Sequence, residues 1–279
     1  MDRVFGSIAL FTMLATLAGC AAKRQYAPTP EGEYEQAYDL YQKEEYSKAI
    51  DALKQIIYKY PGSDLVEHAR YYLADSYFLN EDYVLAADEF ERLNREFPQG
   101  RFADVALFKA ALSYEKQSRR FERDQTETLK AIETIDNLLS KYPNTEYADT
   151  AKAHSVLLSD RLARKEFHTA KFYFDAKLYD SAIIYLKSAL EAYPSSSVVP
   201  AALYHLYISS RRMGYPDDAK DARDRLCAEF PDNEYSKLIC GQTEEPLSGG
   251  AAAPTPVTPR GQPENSTPSD STTAPNSPN

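Results

Sequence analysis

The chain has 279 residues, with 42 acidic side chains against 32 basic ones and a formal net charge of −10. That balance argues against sequence-independent binding to nucleic acid, which rests on basic side chains at phosphates. The absence of Trp argues against a glycan-binding module built on Trp platforms. Once both ends are set aside, about 210 residues remain, enough for a sizeable core.

At the N-terminus, Arg3 supplies a positive n-region and residues 4–16 form an apolar stretch interrupted by Gly6, Ser7 and Thr12. A membrane-spanning helix needs about 20 apolar residues, so this stretch reads as the h-region of a signal peptide. It ends in Leu17-Ala18-Gly19-Cys20, which resembles the lipobox of bacterial lipoproteins. The resemblance implies cleavage before Cys20 and acylation of its thiol and its new amine. Ala21, where an Asp would signal inner-membrane retention, implies the outer membrane. Residues 1–19 are therefore expected to be the signal peptide and 20–32 a lipidated tether stiffened by Pro28 and Pro30.

From residue 33 the sequence repeats. An aromatic–proline pair recurs as Tyr60-Pro61, Phe97-Pro98, Tyr142-Pro143, Tyr193-Pro194 and Phe230-Pro231. Twelve residues before each proline stands an alanine: Ala49, Ala86, Ala131, Ala182 and Ala219. Eight before stand Leu53, Phe90, Ile135, Leu186 and, out of pattern, Arg223; five before stand Ile56, Leu93, Leu138, Ala189 and Leu226. These are i, i+4 and i+7, one face of a helix that the proline then stops. Small polar residues follow each proline and suit a turn and the N-cap of the next helix. Eight past the first four prolines stand Ala69, Ala106, Ala151 and Ala202, small enough for two helices to cross closely. The pattern resembles the tetratricopeptide repeat and predicts an all-α solenoid of five helix pairs, the fifth degenerate as a terminal cap.

Two units carry insertions. The extra residues near 116–128 include Gln-Ser-Arg-Arg-Phe-Glu-Arg-Asp-Gln and predict a charged loop within the third pair. Those between residues 147 and 176 contain neither Pro nor Gly and predict one long helix bridging two halves, repeats 1–3 at 33–146 and repeats 4–5 at 147–241. Cys227 and Cys240 close the second half, either as a disulfide that clips the last helix or as two buried thiols. Residues 242–279, rich in Pro, Ser and Thr, lack the apolar side chains to offset ordering entropy and are expected to be a disordered tail.

Tyr142-Pro143-Asn144-Thr145-Glu146-Tyr147, then Asp160 to Glu166, then Ala170 and Phe172-Tyr173, resemble the BamD family, lipoproteins of the outer-membrane β-barrel assembly machinery. Arg123-Asp124 in the third-pair loop, the lipobox and the five units agree with it. The resemblance implies a protein anchored in the outer membrane by lipid and facing the periplasm. It also implies two kinds of partner: a POTRA domain of a BamA-like barrel-inserting protein on the C-terminal half, and the aromatic-ended segment of unfolded barrel proteins on the N-terminal half. The Pro/Ser/Thr-rich tail departs from the family's compact ending.

First helices of such repeats line the concave face. By repeat phase its candidates for peptide binding are Tyr34, Tyr38, Tyr41, Tyr71, Asp75, Phe78 and Phe108. A tyrosine-rich groove can grip aromatic side chains and hydrogen-bond a peptide backbone; the competing reading is that these rings pack internally. Asp160, Arg161 and Arg164 are candidates for partner contact, although Asp160 and Arg164 stand four apart and also suit a solvated ion pair. His68, His154, His168 and His205 lack metal-ligand spacing, no phosphate-cradling Gly loop or nucleophile motif is present, and neither cofactor nor enzymatic activity is expected. The rival reading is another periplasmic repeat adaptor such as a Tol–Pal coordinator, from which the lipobox and the lack of a heptad stretch before Glu33 distinguish the chain.

Overall fold

The alanines at the twelfth position before each proline are the seams of the fold. In the computed structural model, which describes residues 25–241, Ala49, Ala86, Ala131 and Ala182 are wholly inaccessible to solvent and Ala219 nearly so. So are Ala69, Ala106, Ala151 and Ala202 on the helices they face. With a methyl group at each crossing, the helix axes approach closely and the neighbouring Leu, Ile and Phe interdigitate.

Every regular element among the described residues is a helix: α1 (Pro30–Gln42), α2 (Tyr46–Lys59), α3 (Val66–Leu79), α4 (Tyr83–Glu96), α5 (Ala103–Gln117), α6 (Thr126–Lys141), α7 (Ala148–Asp175), α8 (Tyr179–Ala192), α9 (Val199–Met213), α10 (Pro216–Glu229) and α11 (Glu234–Ile239). Each packs on its neighbours in the chain, giving five antiparallel pairs with α11 as a final short helix. The signal peptide, Cys20, residues 20–24 of the expected tether and the 242–279 tail lie outside the described residues.

The first helix begins at Pro30, within the span expected to be tether. Thr29 explains this: its hydroxyl accepts from the Gly32 N–H, Pro30 takes the first-turn position where its missing N–H costs nothing, and Glu31 and Glu33 favour the positive end of the dipole. The Tyr26 hydroxyl hydrogen-bonds Asp39, so residues just before the helix lie along it.

The two helices of a pair end by different chemistry. Each second helix stops at the aromatic residue before proline. Tyr60, Phe97, Tyr142, Tyr193 and Phe230 still donate to the carbonyl four residues back but leave helical geometry, as the following proline requires. First helices α1, α3, α7 and α9 instead end on a left-handed residue, Glu44, Glu81, Lys177 and Gly214. There the next N–H reaches back to Leu40, Tyr77, Tyr173 and Ser210 respectively, the six-to-one bond of a Schellman motif. The exception is α5, which runs into the inserted residues 118–125.

The polar residues after the prolines were expected to cap the next helix. In the last unit Asn233 does so, accepting from the Tyr235 N–H at the start of α11, but in the first, third and fourth units they cap a turn before the helix: Ser63, Thr145 and Ser196 accept from the N–H two residues on, while the helices start later at Leu65, Tyr147 and Val198 without a side-chain cap. Gly100 replaces such a residue in the second unit because the Glu67 carboxylate takes the space. A Cβ there would come within 2.3 Å of Glu67 Oε1, the atom that accepts from the Phe102 N–H.

Apolar burial falls into three clusters, centred on α1–α4, on α5–α6 with the start of α7, and on the end of α7 with α8–α10. The 28-residue α7 serves two of them, giving Ala151 and Leu158 to the middle cluster and Ala170 to the last. Cys227 and Cys240 are bonded, with Cα atoms 5.8 Å apart, which ties α11 back to α10.

Candidate functional site

Spacings of four and three along α1 set Tyr34, Tyr38 and Tyr41 in a row, with ring centroids 6.2 Å and 6.0 Å apart and near-parallel planes. The neighbouring α3 presents Tyr71 and Tyr72 to that row. Tyr72 is the hub: it meets Tyr38 at 4.9 Å, Tyr41 at 5.0 Å and Tyr71 at 5.2 Å, all edge to face, and Tyr34 at 6.4 Å. Edge-to-face pairs place the positive ring edge on the negative ring face and add about 0.5–1.5 kcal/mol each beyond burial. Each of the five rings stays partly accessible, so the cluster forms a ridged aromatic surface rather than a sealed core.

Under this surface lies a charged support. The Tyr41 hydroxyl donates to Asp75 at 2.7 Å, and the Lys109 ammonium from α5 pairs with the other oxygen of the same carboxylate. Asp75 is only 3 % exposed, so it depends on both donors. Lys109 also stands 5.5 Å from the Tyr71 ring centroid, and Tyr71 stacks on Phe102 at 4.3 Å. One carboxylate thus joins the first three repeats. Burial raises Tyr71 and Tyr72 to about 12. Tyr34 and Tyr41 are raised further, first by burial, then for Tyr34 by Tyr72 and for Tyr41 by the Asp75 hydrogen bond. All four phenols therefore keep their protons near neutrality, and the Tyr41 proton is the one given to Asp75.

Of the sequence candidates, Tyr34, Tyr38, Tyr41 and Tyr71 come together. Asp75 lies beneath them, as a support rather than a contact surface. Phe78 is a turn further along α3, against Tyr83 at 5.5 Å. Phe108, 9 % exposed, stacks on Tyr147 in the middle core and leaves the groove. Sequence reasoning missed Tyr72 and Lys109. Both stand eleven residues after a proline, Pro61 and Pro98, and share that repeat phase with His154 and His205.

On α7, Asp160 accepts from the Ser196 hydroxyl at 2.7 Å, the Ser197 N–H at 2.8 Å and Arg164 Nε at 2.8 Å. It clamps the turn between α8 and α9 onto α7. Burial works against its charge, but the bonds from Ser196, Ser197 and Arg164 outweigh it and hold the carboxyl below the usual range. Arg161 is half-buried and its Nη1 has no hydrogen-bond partner. His154 Nδ1 lies 2.6 Å from Glu115 Oε2. Among the described residues, no three His, Cys, Asp or Glu side chains could jointly hold a metal ion, and no helix is long and apolar enough to cross a membrane. The inner face offers ring stacking and hydrogen bonding.

The YfiO family model, described as "Outer membrane lipoprotein", matches residues 27–237, nearly the whole repeat region. Among curated proteins, an outer membrane protein assembly factor BamD of Rickettsia prowazekii is 28 % identical over 231 residues, covering 81 % of this chain and 92 % of that one. The BamD of Caulobacter vibrioides is 26 % identical over 235 residues, covering 82 % and 77 %. That of Vibrio cholerae is 26 % identical over 216 residues, covering 73 % and 90 %. Among solved structures, a thermophilic TPR protein of Thermus thermophilus aligns over 75 % of this chain and 96 % of its own, at 16 % identity and a TM-score of 0.34.

Proposed function

This chain belongs to the YfiO (BamD) family of outer membrane lipoproteins, and on that premise we propose that it is a non-enzymatic outer-membrane protein assembly factor whose tyrosine surface receives unfolded barrel proteins. The observation that carries the reading is the open cluster of Tyr34, Tyr38, Tyr41, Tyr71 and Tyr72 over Asp75 and Lys109. Rings held in place by their neighbours lose little entropy on binding another ring, and their hydroxyls can meet an extended backbone. The aromatic-ended terminal segment of a barrel protein has both features. In this reading repeats 1–3 hold the substrate, and α7 with repeats 4–5 holds a POTRA domain of a BamA-like barrel-inserting partner, with Arg161 and Arg164 on the partner face. Cys20 carries the lipid that keeps the protein on the periplasmic side of the outer membrane.

A labelled peptide with the C-terminal sequence of an outer-membrane barrel protein tests the substrate site. Tyr34→Ala with Tyr38→Ala removes two of the three rings of the α1 row while sparing Tyr71, whose stacking on Phe102 supports the core. Affinity should fall about tenfold or more, equivalent to about 1.4 kcal/mol. Helicity by circular dichroism should stay at the parent's level. Unchanged affinity would move the site elsewhere.

A further inference from the structure

The insertion in the third pair builds a site of its own. Residues 118–125 fold back against α7, and a buried glutamine fixes them there. Gln125 Nε2 donates to the carbonyls of Arg120 at 2.8 Å and Arg123 at 3.2 Å, while its Oε1 accepts from Thr128 at 2.7 Å. From the other side Lys165 donates to the Arg123 carbonyl at 3.1 Å, and Phe121 meets His168 edge to face at 5.7 Å. The loop is thus fastened from both sides, and between it and α7 lies a cleft of about 460 Å³, open to solvent.

Arg120, Phe121, Leu157, Arg161 and Arg164 line this cleft, together with the carboxylates of Glu115, Glu122 and Asp160. Two of those carboxylates are already engaged: Glu115 by His154, and Asp160 by Ser196, Ser197 and Arg164. Among the described residues neither Arg120 nor Arg161 has an ion pair, and Arg161 Nη1 is buried without any acceptor. An unsatisfied guanidinium N–H in a half-buried position is costly, and a carboxylate arriving from outside relieves that cost. Beside the arginines sits apolar surface, with the Phe121 ring and Leu157, which is 64 % exposed although it lies mid-helix.

Building on the reading of α7 as the partner face, we propose that this cleft docks a segment of a partner protein in which an acidic side chain adjoins an apolar one. The carboxylate takes Arg120 and Arg161. The apolar side chain packs on Phe121 and Leu157. Arg164 stays with Asp160 and holds the cleft's far wall.

The probe is a labelled, end-capped peptide of alternating Glu and Leu, with a twin carrying Gln for Glu, titrated by fluorescence anisotropy against the protein from residue 25 to its end. The acidic peptide should bind about tenfold more tightly than its twin, since a charge-assisted bidentate contact is lost in the twin. Arg120→Gln should remove most of that difference. Arg120 is an exposed loop side chain without an ion pair, so this variant folds even if Arg161→Gln disturbs α7. Leu157→Ser should weaken both peptides. Equal binding of the twin, or full binding by Arg120→Gln, would overturn the proposal. So would loss of the acidic peptide in the Tyr34→Ala, Tyr38→Ala variant, which would make the two sites one. Truncation after Gly241 tests the chain's own Glu244 and Glu245 as occupants: a large gain in affinity on truncation would overturn docking in trans. POTRA-domain binding measured on Arg120→Gln separates the two levels. If the POTRA domain binds this variant normally while the acidic peptide is lost, the partner face stands and its occupant is a different protein.

Discussion

Tyr72 and His205 occupy the same repeat position, eleven residues after Pro61 and Pro194, and each is ringed by aromatic side chains. Around Tyr72 stand tyrosines, partly open to solvent. Around His205 stand Phe174 at 4.7 Å, Phe167 at 5.4 Å, Tyr204 at 5.5 Å and Tyr235 at 6.3 Å, and the imidazole is only 8 % exposed. The difference lies in the covering element. The last repeat is overlaid by α11, which brings Tyr235 onto Tyr204 at 5.2 Å and is held by the disulfide. Tyr34, Tyr38 and Tyr41 lie on the first helix, which has no earlier repeat packed on it among the described residues. The same phase therefore yields core at one end and a partly open aromatic surface at the other.

The comparison breaks most sharply at the helix both halves share. Ala163 is wholly buried on α7 between the middle and last clusters. Ala163→Pro removes a helical hydrogen bond and clashes with the preceding turn, at a cost of about 3 kcal/mol or more. Thermal unfolding followed by circular dichroism should separate into two transitions, with the tyrosine cluster surviving the first. A single transition at the parent's midpoint would show that the halves do not depend on a continuous α7.

Next in size is the cap. The bond between Cys227 and Cys240 closes a short loop, and loop-closure entropy alone assigns about 3 kcal/mol to a loop of roughly 15 residues. Replacing both cysteines with serine should uncover Tyr204 and His205 without touching the first three repeats. Hydrogen exchange should quicken in α9 and α11 and stay unchanged in α1 and α3. Exchange that quickens equally in both halves would contradict a cap local to the last repeat.

These outcomes bear on how much the sequence disclosed. The proline-anchored alanines and the Leu, Ile and Phe beside them are buried where the repeat phase placed them, because that phase encodes contacts within one unit and to the next. The span without Pro or Gly after Tyr147 is one helix for the same local reason. What the phase cannot encode is which neighbour covers a face. Phe108 was expected in the groove and instead stacks on Tyr147, a residue supplied by the helix two further on. Asp75 was expected as a contact and is buried by Tyr41 and Lys109 from the repeats on either side. Tyr72 was missed because a first helix turns two adjacent phases inward, and only one of them was counted.

A smaller contrast is chemical. Burial lowers the His205 imidazole below its ordinary value of 6.5, with Lys171 adding in the same direction and the Ala201 carbonyl and Asp175 opposing. The folded state therefore holds this histidine neutral where the unfolded chain would protonate it. Above about 6.5 both states are neutral and the stability is complete; as pH falls below that value the unfolded state binds the proton preferentially and stability declines until the folded pKa is passed. The C-terminal transition of the cysteine-intact protein should lose stability between neutral and mildly acidic pH, and His205→Gln should flatten that dependence. A slope that persists in His205→Gln would assign it to other groups.

The smallest expected effect sits at the ends of the first helices, where both halves use the same Schellman motif with different residues. Glu44, Glu81 and Lys177 adopt φ of 61°, 64° and 62°, and Gly214 alone supplies the residue that this region favours, at 75°. A side chain there pushes Cβ toward the following carbonyl, costing about 1 kcal/mol, whereas glycine loses more backbone freedom on folding, by about 0.5–1 kcal/mol. The two effects nearly cancel, so Glu44→Gly should stabilise the N-terminal half by only a few tenths of a kcal/mol, less than the full relief of strain. Gly214→Ala is the converse. A Cβ at Gly214 meets nothing within 4 Å, so no clash with a neighbour enters and the cost is the backbone strain of alanine at positive φ, about 1 kcal/mol. Denaturant midpoints of the two variants, measured on the transition of the half each belongs to, should therefore move in opposite directions, with the larger change for Gly214→Ala. A loss for Glu44→Gly would mean that the glutamate side chain contributes more to the fold than its backbone angle costs, and the four helix ends would no longer be equivalent.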